Sequence, residues 1–379
     1  MLNGRKLILD THCEVYHLVA HWADSDFWNL ATHEVVSNSI YLIGRQQCKD
    51  NTEKVKIMAQ RDDCLVIISN PAEGSETFRW QMRIMGLEDL ILAGRILVIG
   101  GGDMEPGYTC LRYDAFLTKV FEYHENHSAL LVSDEIFKKT QKPYKFLFLN
   151  GRARPHRKYL LERFRASGLL DQTLWTCLEG KGFNSRILRL EQDGRNLMLE
   201  DRAIKYLPEN YEVDTYRAKL TEPIPEETQF VKFHLFGDDW GEIYLRPEPY
   251  IDTYFSLITE TVFDYPYSFR TEKMTKPLAM AHPWIAVSGR GFYRDLRELG
   301  FRTFGHVIDE SFDLIDDNQS RIERITEVVE DLCQQDLSAF LAECREVCKY
   351  NQQHLRELAP RIQSEFPQRL EQFTQPYCQ

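Results

Sequence analysis

The sequence predicts an α/β protein of two parallel-sheet domains followed by a C-terminal helical segment. Three observations carry that prediction. Short apolar runs recur along the chain, and each ends in residues suited to a loop. Segments of helical period separate these runs. A Lys142-Pro143 break is then followed by a fresh strand–loop–helix start, which begins the pattern again.

Lys6–Asp10 (KLILD) reads as a short buried strand, and Cys64–Ser69 (CLVIIS) and Arg95–Ile99 (RILVI) repeat it. They run into Thr11-His12, Asn70-Pro71 and Gly100-Gly101-Gly102-Asp103. Val35–Gly44 and Glu76–Ile84 have helical spacing, so strands alternate with helices, as in βαβ units. Tyr108–Asn126 and Asp134–Thr140 also read as helical and close a first domain, residues 1–140. Tyr144–Leu149 (YKFLFL) opens the second, residues 141–330. It leads through Asn150–Arg157 into an amphipathic helix, Lys158–Ala166. Leu174–Leu178, Val231–Leu235, Trp284–Val287 and Arg302–Phe304 are further strand candidates. Residues 179–227 are polar and proline-bearing, with the character of an insertion. Gln319–Asp331 is helical, capped by Ser320 or Asp317, with Ile322, Ile325, Val328 and Val329 on its apolar face. A long helix follows over Leu337–Leu358 in the last segment, residues 331–379, and Pro360 and Pro367 are expected to break the tail.

Composition narrows the function classes. The 379 residues are 43% hydrophobic and 12% aromatic, enough for two real cores. No stretch approaches the roughly 18 apolar residues of a membrane helix. Asp10, His12 and Glu14 interrupt the apolar region that a secretory signal would need. Nine cysteines, an odd number without a CxxC pair, point to a reducing cytoplasm rather than a disulfide framework. Cys344 and Cys348 share a helix face, but two ligands do not make a zinc site, so no metal is expected. The net charge of −12 argues against a protein that coats nucleic acid. The charge is uneven, however. Residues 142–165 hold eight Lys/Arg and one acid, while residues 307–345 hold eleven Asp/Glu and three Arg. The basic cluster is a local anion site.

Residues 258–310 are the most informative stretch. Thr259-Glu260, Arg270-Thr271-Glu272-Lys273, Pro277 and His282-Pro283 precede the apolar strand Trp284–Val287. Arg270 and Lys273 suit the grip of a diphosphate, and Glu272 suits a sugar's vicinal hydroxyls. A bland alternative makes the segment a helix start capped by Thr271. The Arg270–Pro277 order resembles the donor-binding segment of GT-B glycosyltransferases, the fucosyltransferase-like families in particular, and is similar to glycosyltransferase-like proteins of tailed phages. That resemblance implies two Rossmann-like domains facing a crevice, with ligands bound beyond the carboxyl ends of the strands. By it, Glu272 binds the nucleotide's ribose and Lys273 its phosphate, with Glu260 an equal candidate for the ribose.

Asn150–Arg157 joins a strand to a helix, so its amides and Arg152 and Arg157 can meet an anion. Arg154 is held extended before Pro155. The alternative is a solvated loop, salt-bridged to the acidic 307–345 region. The triple glycine fails the dinucleotide fingerprint, because Glu105 stands where the third Gly belongs. It is better read as a tight turn with close backbone approach. Asp103 after it and Glu73 after the Cys64–Ser69 strand are the candidate catalytic bases, with His12 and Asp10 also in play. Trp22, Phe27 and Trp28, with Asp24 and Asp26, form either a sugar platform or loop-proximal core. His124, Glu125 and His127 read as a polar helix end. The Asp309–Asp317 acids lack calcium-loop spacing and read as a solvated face.

With the resemblance, these features imply a cytoplasmic glycosyltransferase (in the host cytoplasm if phage-encoded) that is metal-independent and without a bound cofactor, and the fucosyltransferase-like resemblance implies that it is inverting. It would take a nucleotide-diphosphate sugar as co-substrate. The acceptor is expected to be a small molecule, glycan or protein. Hydroxymethylated DNA is the alternative, disfavoured because the strongest basic cluster is assigned to the donor. A non-catalytic binding protein and another nucleotide-using enzyme are the remaining alternatives.

Overall fold

The computed structural model describes residues 2–72, 74–102, 104, 106–126, 133–150, 154–177, 247–264 and 268–378. The chain divides into two compact units. The first comprises Met1–Thr118, Tyr265–Arg270 and Glu357–Gln379; the second comprises Lys119–Asp264 and Thr271–Arg356. The sequence-based cuts near residues 140 and 330 differ from this division. The C-terminal segment is shared between the units, and Tyr265–Arg270 returns to the first.

The first unit is built on a six-stranded parallel sheet. Its strands are β1 (Lys6–Asp10), β2 (Ser25–Phe27), β3 (Ser39–Gly44), β4 (Cys64–Asn70), β5 (Ile96–Gly100) and β6 (Cys110–Arg112). Their order is β2-β1-β3-β4-β5-β6. Every residue of β3 and β4 is buried, which is why both read as unbroken apolar runs. On one face, Tyr41, Val66, Ile68, Ile96 and Val98 pack with Val55, Met58, Phe78 and Met82. The helix Ser75–Met85 stops at Gly86, whose φ of 65° suits a glycine cap.

The helical reading of Val35–Gly44 is wrong, because Ser39–Gly44 is the strand β3. A run buried on both faces has no alternation, and its apolar spacing then imitates a helix. Within Tyr108–Asn126, likewise, the helix begins only at Ala115, after β6.

The second unit holds four parallel strands, β7 (Tyr144–Asn150), β8 (Leu174–Cys177), β9 (Thr253–Thr259) and β10 (Trp284–Val287), in the order β10-β9-β7-β8. Phe146, Phe148, Phe164 and Phe255 interlock in its core, with Phe146 and Phe255 stacked 5.2 Å apart. Arg302–Phe304 forms no strand. Side chains satisfy this stretch: Arg302 N donates to Asn351 Oδ1 at 2.8 Å and Phe304 N to Glu310 Oε1 at 2.6 Å. The expected strand Val231–Leu235 and the polar stretch 179–227 lie outside the described residues.

Asp317 caps the helix Asn318–Leu332 by accepting from Ser320 N at 2.7 Å. The final helix, Leu337–Thr374, does not break at Pro360 or Pro367. Leu355, Leu358, Ala359, Ile362, Phe366 and Leu370 keep one apolar face buried past both prolines, and that burial outweighs the lost hydrogen bonds. Among the described residues, no helix is long and apolar enough to cross a membrane.

Candidate functional site

In the second unit the chain moves from β7 to β8 on one side, then places β9 on the other side of β7. The gap between the carboxyl ends of β7 and β9 is therefore a topological switch point, where open parallel sheets bind ligands. Asn150 ends β7 and Thr259 ends β9. Thr259 Oγ1 donates to Asn150 Oδ1 at 2.7 Å across that gap. The helix Pro155–Ala166 follows β7 with Pro155 in its first turn, and it brings His156 and Arg157 back to the end of β9. Arg157 Nη2 donates to Thr259 O at 2.9 Å and Glu260 O at 3.3 Å, and His156 Nε2 meets Glu260 O at 3.1 Å. Burial, reinforced by the Arg157 charge, lowers the His156 pKa to about 4. The imidazole is thus neutral near pH 7, and Nε2 must carry the proton that the carbonyl accepts.

Glu260 continues from β9 and is fully buried. Its carboxylate accepts from Thr271 N at 3.1 Å and from Thr271 Oγ1 at 2.6 Å. Thr271 is the N-cap of the helix Glu272–Ala279. The Glu260 carboxyl thereby fixes where that helix begins. Burial raises the Glu260 pKa, opposed by the Lys273 charge and the Thr271 bonds. Glu272 and Lys273 occupy the first turn and bond through Lys273 Nζ and Glu272 Oε1. Lys273 Nζ also reaches Thr271 Oγ1 at 3.2 Å and Thr261 Oγ1 at 3.4 Å. Burial alone would raise the Glu272 pKa, but Lys273 and Lys276 outweigh it and the net shift is downward. Glu272 is accordingly an anion, a hydrogen-bond acceptor beside an ammonium group.

The structure thus brings Arg157, Glu260, Glu272 and Lys273 together. Arg270 belongs to the first unit, where its buried guanidinium donates from Nη2 to Asp114 Oδ1 at 2.7 Å. The expectation that Arg270 and Lys273 lie in one domain is corrected on that ground, because the division falls between Arg270 and Thr271. Arg157 braces the main chain of β9 with its Nη2. Arg152, Asp103 and Glu73 lie outside the described residues, as does His127.

Other sequence signals resolve into local bonds. His282 Nδ1 meets Ser256 Oγ and Nε2 meets Thr253 O, both at 2.9 Å, and burial lowers its pKa to about 3. The His-Pro dipeptide therefore ties the ends of β9 and β10. The acidic run is similarly engaged: Asp309 pairs with Arg324, Glu310 with Arg297, Asp316 with Arg290, and Asp313 accepts the amides of Tyr293 and Arg294. Arg163 of the basic cluster, on the helix beyond that loop, pairs with Glu330 of the acidic region at 2.9 Å. In the first unit, a Cβ on Gly101 would lie 1.9 Å from Pro71 O and one on Gly102 2.5 Å from Ser268 O, so the triple glycine serves close backbone approach.

Sequence reasoning named Asn150 and His156 only as parts of a loop and gave them no role. Their signal was positional: each sits at the strand–helix junction of the sheet's first strand. No family model matches the chain, and neither a curated protein nor a solved structure matches it.

Proposed function

We propose that the chain is a GT-B-type glycosyltransferase. It takes a nucleotide-diphosphate sugar at the switch point of the second unit and moves the sugar to a hydroxyl acceptor, inverting and without a metal. The observation that carries this reading is the group at the carboxyl end of β9: a buried Glu260, the helix cap Thr271, and Glu272 and Lys273 in the first helical turn. Lys273 supplies positive charge, and the helix amides add partial positive charge in the same place. A diphosphate held there sheds its sugar more readily, since the negative charge that builds on the leaving oxygen is already faced by the Lys273 ammonium and the helix amides. Glu272, ionised beside Lys273, accepts hydrogen bonds from the ribose hydroxyls.

Isothermal calorimetry with nucleoside diphosphates and diphosphate sugars tests the reading. Lys273→Ala is expected to weaken binding by about 1.5–3 kcal/mol, the range for hydrogen bonds to charged groups. Glu272→Gln is expected to keep diphosphate affinity and to lose preference for ribose over deoxyribose. Unchanged affinity in a folded Lys273→Ala protein removes the phosphate role. An unchanged ribose preference in Glu272→Gln moves the ribose role to another residue.

A further inference from the structure

The first unit has a switch point of its own, between β1 and β3. A group of unmatched buried donors lies further along the same sheet, at the carboxyl ends of β4, β5 and β6. Asn70, Gly100 and Arg112 form one row there, Asn70 paired with Gly100 and Gly100 with Arg112. Residues 268–270 pack onto that row. A Cβ on Gly101 would meet Pro71 O at 1.9 Å and the Phe269 ring at 3.0 Å, and one on Gly102 would meet Ser268 O at 2.5 Å. The residue after Asn70 and the residue between Ser268 and Arg270 thus meet at one point.

Asn70, Ser268 and Arg270 are each no more than 3% exposed. Four of their polar atoms, Asn70 Nδ2, Ser268 Oγ, and Arg270 Nε and Nη1, have no hydrogen-bond partner among the described residues. A buried polar group left unmatched costs roughly 1–3 kcal/mol, and more where it is charged. The nitrogens only donate, and the hydroxyl is able to. Asp114 meets the Arg270 charge only in part. Its Oδ1 accepts from Arg270 Nη2 at 2.7 Å, while its Oδ2 accepts from Arg112 Nε at 3.2 Å. Arg369 Nη2 donates to Arg112 O at 2.9 Å, so a third guanidinium stands at the end of β6. The nearby acid Glu14 is turned elsewhere: it accepts from Ser69 Oγ at 3.0 Å, and the side chains of Ser69 and Asn70 leave β4 on opposite faces.

We propose that this end of the first unit binds a small tetrahedral oxyanion, inorganic phosphate or the phosphoryl group of a monoester, on Arg270 with Ser268 and Asn70 as the further donors. An oxyanion is rich in acceptors, which complements a group made of donors. Its charge offsets a guanidinium that has to share Asp114 with Arg112. The donors stand on separate chain segments, and oxygens pointing in several directions reach more of them than the two of a planar carboxylate. All of these residues belong to the first unit. The inference does not rest on the glycosyl-transfer reading, since none of them is assigned to the donor.

The Arg270 Nε–H resonance in 15N spectra of the full chain, identified with Arg270→Lys, reads the site directly. Inorganic phosphate is expected to move it saturably at constant ionic strength, and acetate and chloride to leave it in place. By calorimetry, Ser268→Ala is expected to weaken phosphate binding roughly tenfold, as loss of one hydrogen bond to a charged group does. Arg270→Lys should weaken it at least as much. That variant keeps a positive charge beside Asp114, and Ser268→Ala deletes an atom without a partner, so both should fold, as circular dichroism checks. Lys273→Ala should leave the Arg270 response unchanged, which separates this anion from one held in the second unit. If glycerol phosphate moves the resonance as phosphate does, the proposal holds with a monoester as ligand; a response to inorganic phosphate alone makes the ligand the free ion. A resonance unmoved by either shows that buried water serves these donors and overturns the proposal. So does an equal shift with acetate, or full phosphate affinity in folded Ser268→Ala and Arg270→Lys proteins.

Discussion

The two sheets follow the same winding rule and furnish it differently. In each, the second strand lies on one side of the first and the third on the other, β2-β1-β3 in one unit and β8-β7-β9 in the other. In each, the last residue of the first strand accepts a hydrogen bond from the last residue of the third: Asp10 from Gly44 N, Asn150 from Thr259 Oγ1. One bridging acceptor is an acid and the other an amide. The acid stands beside an exposed histidine; the amide stands near a buried Glu260 and a helix start that carries the Glu272–Lys273 ion pair. Topology sets where the two bridges form, and the side chains at them differ by one charge.

The largest expected effect comes from breaking the brace in the second unit. Arg157→Ala leaves the carbonyls of Thr259 and Glu260 without their guanidinium donor and opens a buried space. A stability loss of about 2–4 kcal/mol is expected, since a buried large-to-small substitution costs roughly 2–5 kcal/mol, although Glu260 O keeps its bond to His156. Hydrogen exchange should show the loss in β7 and β9, with β1 and β3 protected as before. Equal loss in both sheets would show that the two switch points do not hold independently.

A pH test sharpens the contrast between buried and exposed histidines. His282 in the second unit has a pKa lowered to about 3 by burial. The unfolded chain takes up its proton below about 6.5, while the folded chain does not until near its own lowered value. Its stabilising contribution is therefore full above the unfolded pKa and is lost as pH falls. His282→Gln carries no such titration. The cost of that substitution should be about 2 kcal/mol smaller at pH 5 than at pH 7 by linkage, measured by urea unfolding at both. Glu260, with its raised pKa, titrates in both proteins and cancels from the difference. A cost independent of pH would mean that His282 is not held neutral.

The smallest expected effect belongs to the first unit. A Cβ on Gly44 would lie 3.0 Å from Asp10 Oδ2 and 3.3 Å from His12 O. Gly44→Ala should cost about 1 kcal/mol, the low end of what overpacking costs, and should shift the His12 imidazole resonances. A silent substitution would show that the bridge tolerates the expansion and that Asp10 does not position His12 tightly.

The sequence by itself determined the α/β class and most of the strands, because CLVIIS is an apolar run buried on both faces, YKFLFL is mostly apolar and buried, and their neighbours have helical period. It also located the Thr271 cap and the strand–helix junction at Asn150–Arg157, which are local signals. Tertiary structure decided the rest. Ser39–Gly44 became a strand because flanking strands cover both of its edges, and Pro360 and Pro367 stayed within a helix because an apolar face continues past them. Arg270 fell to the first unit, where its guanidinium pairs with Asp114, and Lys273 to the second. Thr259 found Asn150 across 109 positions of chain. Periodicity and capping are written in neighbouring residues. Strand order is settled only when distant segments compete for the same buried edges, and the contents of both switch points depend on it.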